Sequence, residues 1–405
     1  MSTVTIGVCV YNEEKNIANL LNSLLSQKTT EPIKEIIVVS SACSDKTDEI
    51  IENDFVKYNP RIFLIKQGKR EGKASAINIF LKYASGDIVV LESGDTIPAE
   101  GAIEDLTDAF NDPKIGMAGG RPVPINDPDT FMGFTAHLVW NLHHKIALEH
   151  PKLGEMVAFR RDLIRKIPTN TAVDEAFIEA LINGQGYELK YVPDAVVYNK
   201  GPETVSDFLK QRRRIFAGHI HLRKTKGYAP SSMNKLKIVT LVFKDLKFAP
   251  KQIVWTFGAT LLEFYGRLLG SYDFYIKREN PFIWNIAETT KGNIQETTKS
   301  YAPNAIPVAQ HIKLWSMVRR QTSFFLKSKT QPTASFLPET SASISVKPGI
   351  IPTTPALTKS QQDLTTEKMQ ELKNPSKILI KLIPLVPIII IGNGLSDGLF
   401  ELFFS

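Results

Sequence analysis

The chain has 405 residues, room for one large domain or roughly two to three ordinary ones. Hydrophobic residues make up 43% and charged residues 22%, which excludes global disorder, and two cysteines, Cys9 and Cys43, exclude a disulfide scaffold or a multi-cysteine zinc site. The net charge of +7 is concentrated: residues 200–251 hold thirteen Lys/Arg against three acids, +10 there and so −3 over the rest. A basic block with interleaved aromatics suits nucleic acid, anionic lipid or a polyphosphate substrate, and charge alone does not choose among them.

Val4–Val10, Glu35–Ser40, Arg61–Lys66 and Asp87–Leu91 are short Val/Ile-rich runs that predict buried strands. The first is too short for a signal peptide and leads into Glu13-Glu14-Lys15, so the N-terminal part is expected to be intracellular. Apolar residues at three-to-four spacing predict helices over Glu14–Gln27, Asp45–Lys57 and Lys73–Ala84. Further strands are expected at Ile115–Val123, Glu155–Arg160 and Glu188–Tyr198. Alternation of this kind implies an α/β layer with a mainly parallel sheet, whose chemistry gathers at the carboxyl ends of its strands. Both cysteines lie beside predicted strands and read as packed core residues.

After about residue 200 the pattern turns helical. Thr204–Thr225 is strongly basic. Lys235–Phe248 and Gln252–Tyr272 are apolar but carry Asp245, Glu263 and Arg267, so neither offers the ~20 apolar residues of a membrane span. They read as interfacial helices or as ordinary packing elements. Residues 328–376, rich in Ser, Thr, Pro, Lys and Gln, read as a disordered linker, and Ile378–Ser405 as an apolar tail.

Polar segments follow the predicted strands. Tyr11-Asn12-Glu13-Glu14 ends the first, and Ser40-Ser41-Ala42-Cys43-Ser44-Asp45-Lys46-Thr47 ends the second. Two such loops can hold a base and ribose, or simply cap the helices that follow. Lys73, at a helix start near Arg70, suits a phosphate or a solvated charge run; Gly68 and Gly72 are too close for a P-loop. Asp95, in Leu91-Glu92-Ser93-Gly94-Asp95-Thr96, suits a divalent ion on a diphosphate or an ordinary turn. Asp174-Glu175 opens a helix, where acids are also common on dipole grounds. Gln211 and Arg214 share a helical face and can grip one phosphate, a solvated face being the alternative. His143 and His144 read as packing or surface residues.

The order of these segments is more specific than any one of them. VYNEE, the SDKT loop, REGKASAIN, GDIVVLESGDTIP, GEMVAFRR, VDEAFIEAL and QRRRI together resemble the family 2 glycosyltransferases of GT-A fold, over about residues 1–225. The resemblance implies that Tyr11 and Glu13 contact the nucleobase and ribose and that Lys73 contacts the nucleotide. It implies that Asp95 is the last Asp of a DxD metal motif and binds Mg2+ or Mn2+. Asp174 then becomes the general base, and Gln211 and Arg214 belong to a QxxRW-type grip on the diphosphate and acceptor end.

Ser93 and Ser40 stand where that family usually has nucleotide-site carboxylates, so uridine specificity is not implied. Ile215 replaces the Trp of QxxRW, and processivity is not implied either. The expected activity is inverting transfer of a sugar from a nucleotide-diphosphate donor to an acceptor hydroxyl or a lipid phosphate. The alternative is a non-catalytic membrane-surface scaffold or sugar-nucleotide sensor. The expected organisation is a GT-A domain over 1–230, a helical region over 231–327, the linker and the tail (377–405). The expected location is cytoplasmic, on the inner face of a membrane, with no nucleic-acid partner. Glu175, ~100° round the helix from Asp174, is expected to point elsewhere.

Overall fold

A computed structural model describes residues 2–228, 250–283, 286–292 and 294. The chain divides into two compact units, residues 1–304 with 398–405, and residues 305–397; every described residue belongs to the first. The helix expected at Lys235–Phe248, the linker and the tail lie outside the described residues.

Eight strands form one sheet: β1 (Val4–Val10), β2 (Ile33–Ser40), β3 (Ile62–Lys66), β4 (Ile88–Ser93), β5 (Thr96–Pro98), β6 (Ile115–Pro124), β7 (Val157–Arg160) and β8 (Glu188–Asn199). Their order is β3-β2-β1-β4-β7-β6-β8-β5. Only β7 and β5 run against the other six, so the sheet is mainly parallel, as predicted. Strand β5, three residues around a proline, is the one that the sequence pattern does not announce.

Helices α1 (Ile17–Ser26), α2 (Thr47–Ile50, continued by a π-helical segment, Ile51–Val56), α3 (Lys73–Tyr83), α4 (Ala102–Thr107), α5 (Phe131–Glu149) and α6 (Asp174–Asn183) connect the strands. Alternate residues of β1 and β2 build two cores. Val4, Ile6, Val8 and Val10 pack with Leu20, Leu21 and Leu24 of α1 on one face; Ile37 and Val39 pack with Ile77 and Phe80 of α3 on the other. Side chains of this size each contribute about 1.5–3 kcal/mol when fully buried.

Strand β1 sits between β2 and β4, where the strand order reverses. Polar loops at such a point open into a crevice. The loops after β1, β2 and β4 are among the segments singled out in the sequence.

Helices α7 (Val205–Lys226) and α8 (Pro250–Tyr272) pack against each other. Helix α7 is opened by Thr204, whose hydroxyl accepts from Asp207 N. Helix α8 also touches α5 and leaves Ile253, Val254 and Phe257 exposed. No described helix is long and apolar enough to cross a membrane.

Candidate active site

The loops after β1 and β2 are tied to each other. Ser44 N donates to Asn12 Oδ1 (2.9 Å), Glu13 N to Thr47 Oγ1 (2.7 Å) and Glu14 N to Asp45 Oδ2 (3.0 Å). Asn12 therefore joins two loops instead of capping a helix. Asn12 and Ala42 both have positive φ (53° and 57°), as does Glu155 (48°) at the entrance to β7. Non-glycine residues held in this region cluster at functional sites. Tyr11 carries the Arg70 guanidinium 4.0 Å over its ring, and Ser40 is buried at the end of β2. Of the two cysteines, Cys9 packs against the second core and Cys43 against the first.

Gly94 follows β4 in close contact with Glu13: a Cβ there would stand 2.8 Å from Glu13 Cγ. This approach sets Asp95 beside the buried Glu13. Burial, and then the Asp95 charge, push the Glu13 carboxyl up to about 8, partly offset by Lys291. Glu155 is pushed up to about 7 by burial and again by Asp95.

A second group stands at the start of α6. Lys73 Nζ donates to Ser93 Oγ (2.9 Å) and to Glu175 Oε1 (2.5 Å). Burial alone would lower the Lys73 ammonium, but Glu175 and Asp174 raise it above its ordinary value. Burial would raise Glu175, but the Lys73 charge and hydrogen bond outweigh it and hold the carboxyl low. Asp174 is 1% exposed, and its Oδ1 has no hydrogen-bond partner. Burial, then the neighbouring Glu175, push it up to about 7. The expectation that Glu175 points elsewhere does not hold: both carboxylates face the same centre.

Arg214 reaches the centre from α7, where Asp174, Glu175, Glu155 and Asp95 all attract it; burial still draws its guanidinium down to about 10. Arg212 turns instead to Glu263 of α8 (3.0 Å), and Arg213 to Asp273 just past its end (2.7 Å). Gln211 is half-buried on the same helix. His144 Nδ1 lies 2.8 Å from the Tyr191 hydroxyl and His143 stacks edge-on to Trp140, both in packing roles.

Three participants escaped the sequence reading. Glu155 reads there only as a strand residue, and Glu92 only as part of the polar segment that follows the fourth strand. Lys291 comes from the far end of the described chain. Thr289 N and Oγ1 donate to Asp207 Oδ2 (3.1 and 2.8 Å), which anchors the segment, and Lys291 Nζ then donates to Tyr11 O (3.1 Å) and to Glu13 Oε1.

The crowded carboxylates around Asp95 fit a cation. Among the described residues, no group of three or more His, Cys, Asp or Glu side chains is placed to hold a metal by itself. A divalent ion here would be held by Asp95 together with oxygens of the ligand, as is usual for Mg2+ on phosphates.

Two family profiles match the chain: glycosyl transferase family 2 over residues 5–168, and glycosyl transferase family group 2 over residues 88–274. Together they span residues 5–274, more than half of the chain, and the chain belongs to the family 2 glycosyltransferases. Its sheet, helices and strand-end site make up the α/β GT-A fold expected of that family. Among curated relatives it is 25% identical over 255 residues to the poly-beta-1,6-N-acetyl-D-glucosamine synthase of Staphylococcus aureus, covering 60% of this chain and 61% of the relative. It is 26% identical over 266 residues to that of Staphylococcus epidermidis, covering 63% and 62%. The chain thus spans about 61% of the length of these relatives. Among solved structures, a mannosyltransferase from Pyrobaculum calidifontis in complex with GDP-Man and Mn2+ is similar at a TM-score of 0.46 and 20% identity, covering 78% of this chain and 80% of that one.

Proposed function

We propose that the protein is an inverting glycosyltransferase that moves a sugar from a nucleotide-diphosphate donor to an acceptor hydroxyl. The observation that carries this reading is the convergence of Asp95, Asp174 and Arg214 at the carboxyl ends of the strands. An acceptor hydroxyl loses its proton to Asp174 Oδ1 as its oxygen bonds to the anomeric carbon. The bond from that carbon to the phosphate oxygen breaks, and the nucleoside diphosphate departs with the electron pair. Arg214 supplies fixed positive charge where that leaving group gathers negative charge. Tyr11, Glu13, Ser40, Lys73 and Ser93 line the nucleotide side, and Gln211 accompanies Arg214. Mg2+ or Mn2+ on Asp95 would supply further charge neutralisation at the diphosphate.

The relatives' names support an amino-sugar donor and a polysaccharide acceptor. The basic last turn of α7 (Arg223, Lys224, Lys226) and the exposed Ile253, Val254 and Phe257 of α8 support a reading in which the enzyme is peripheral on the inner face of an anionic membrane. We propose residues 1–230 as the transferase domain.

The test is a screen of nucleotide sugars by thermal shift with and without Mn2+, followed by transfer assays on the ligands found. Asp95→Ala should remove the Mn2+-dependent part of the shift and leave the fold intact. Donor binding with neither hydrolysis nor transfer would favour the non-catalytic sensor, to which the serines at 40 and 93 point.

A further inference from the structure

One turn beyond Glu175 on α6, Glu179 leads to a second charged cluster. Its buried carboxylate accepts from Leu153 N (2.7 Å) and from the Tyr228 hydroxyl (3.3 Å), and it faces Lys152. Lys152 in turn faces Arg267, Arg212 and Glu263. The arginines reach this point because α8 crosses α7 closely on glycines. A Cβ at Gly266 would stand 2.7 Å from Arg212 Cβ, and one at Gly270 would stand 2.7 Å from Arg213 O. Arg267 binds Glu263 through Nε (2.9 Å) and Nη2 (2.8 Å). Arg212 Nε lies 3.0 Å from Glu263 Oε2, but its N–H is not aimed at that oxygen, and both atoms lack a hydrogen bond.

The cluster has more cation than anion. Lys152, Arg212 and Arg267 face Glu263, whose carboxyl stays low, and Glu179, which burial pushes up to about 7. His143 and His219 face the same cations and are kept neutral, chiefly by burial and next by Lys152. Four nitrogens from these residues are buried with no hydrogen-bond partner: Arg212 Nε, Arg267 Nη1, His143 Nδ1 and His219 Nδ1. Buried polar atoms are almost always satisfied, so unfilled ones converging on a cationic cluster mark a place for a ligand. The excess charge and the guanidinium donors of Arg212 and Arg267 suit a phosphate dianion better than a carboxylate.

We propose that Lys152, Arg212 and Arg267 form an anion subsite that takes a phosphate group carried by the acceptor. The acceptor role rests on the transferase reading. The donor diphosphate already has Arg214 and Lys73, and Glu179 joins this cluster to the catalytic carboxylates one turn away.

The test is calorimetric titration of the full chain with inorganic phosphate in EDTA. Lys152→Met and Arg212→Gln should each weaken phosphate binding at least about tenfold. Arg212→Lys should fall between Arg212→Gln and the unsubstituted protein, and Lys57→Met, an exposed change outside both clusters, should leave the affinity unchanged. If Arg212→Gln fails to fold, as judged by circular dichroism, Lys152→Met decides. Affinity that ignores both Lys152 and Arg212, or no binding at millimolar phosphate, overturns the proposal. Glycerol 3-phosphate and a short-chain phosphatidic acid then compete with phosphate. Equal displacement assigns a soluble phosphate, stronger displacement by the lipid assigns a headgroup, and displacement by neither overturns the acceptor role. None of these readouts needs turnover, so a protein that binds phosphate as stated yet transfers no sugar refutes only the transferase reading.

Discussion

Lys73 Nζ and Glu175 Oε1, 102 positions apart in the chain, meet at 2.5 Å beneath the ends of β1 and β4. The contact ties the start of α3 to the start of α6 and divides the labour between two adjacent acids. Glu175 is held ionised by the ammonium, while Asp174 keeps an oxygen without a partner. A lysine bound in this way serves first as the clamp on the site, and its share in donor binding comes through Ser93 and its residual charge.

The pair should show strong coupling. Lys73→Met leaves a buried carboxylate without its counter-ion and should cost about 3 kcal/mol or more, whereas Lys73→Met with Glu175→Gln should cost clearly less than the sum of the two single changes. Urea unfolding of the four proteins measures this. Additive losses would mean that the contact is incidental.

Much of this was legible in the sequence, for identifiable reasons. The Val/Ile runs of β1, β2 and β4 are buried on both faces, so their hydrophobic signal is continuous and the polar loops stand out at their ends. Strand β5 has three residues and a proline, too little for any periodicity. Lys291 lies 278 positions from Glu13, and no local pattern announces a lysine that returns over that distance. Helical geometry correctly separates Asp174 from Glu175 about the axis, but it says nothing of how far Lys73 reaches across to collect the second acid.

Buried Glu92 should make stability depend on pH in a known direction. Burial raises its carboxyl to about 8, against the hydrogen bond from Thr96. The folded state therefore prefers the protonated form. Its favourable contribution is complete below the ordinary carboxyl range and is lost as pH rises through about 8. Glu92→Gln removes this loss. The melting temperature of the variant relative to the unsubstituted protein should rise between pH 5 and about pH 8 and then level off. A pH-independent difference would place the proton elsewhere.

Lys291 occupies the acid-lined side of the crevice, where it shares Glu13 and the field of Asp95. A cation there opposes a second cation. Lys291→Met should therefore strengthen binding of free Mn2+ by about tenfold, as expected for losing one nearby charge at intermediate dielectric. Electron paramagnetic resonance of unbound Mn2+ reads this directly. Unchanged affinity would show that Lys291 swings clear when metal enters.

The enzyme reading depends most on Asp174. A hydroxyl is a poor nucleophile at neutral pH, and a positioned base contributes about 10²–10⁴ in rate. Asp174 begins α6 after the loop that packs under Gly218 of α7, so its carboxyl is carried by a rigid element. Burial and the neighbouring Glu175 lift it to about 7. The base form is the unprotonated one, so transfer should rise as pH increases through about 7 and then level off. Asp174→Asn preserves shape but offers no basic lone pair. It should cut transfer at least about a hundredfold, abolish the rise with pH, and leave donor affinity nearly unchanged. Glu175→Gln should behave differently, because it frees Lys73: donor affinity should change while the rise near pH 7 persists, moved downward because one negative neighbour of Asp174 is gone. If Glu175→Gln abolishes the pH dependence and Asp174→Asn keeps it, the two acids have exchanged roles. If both variants transfer at full rate, neither is the base.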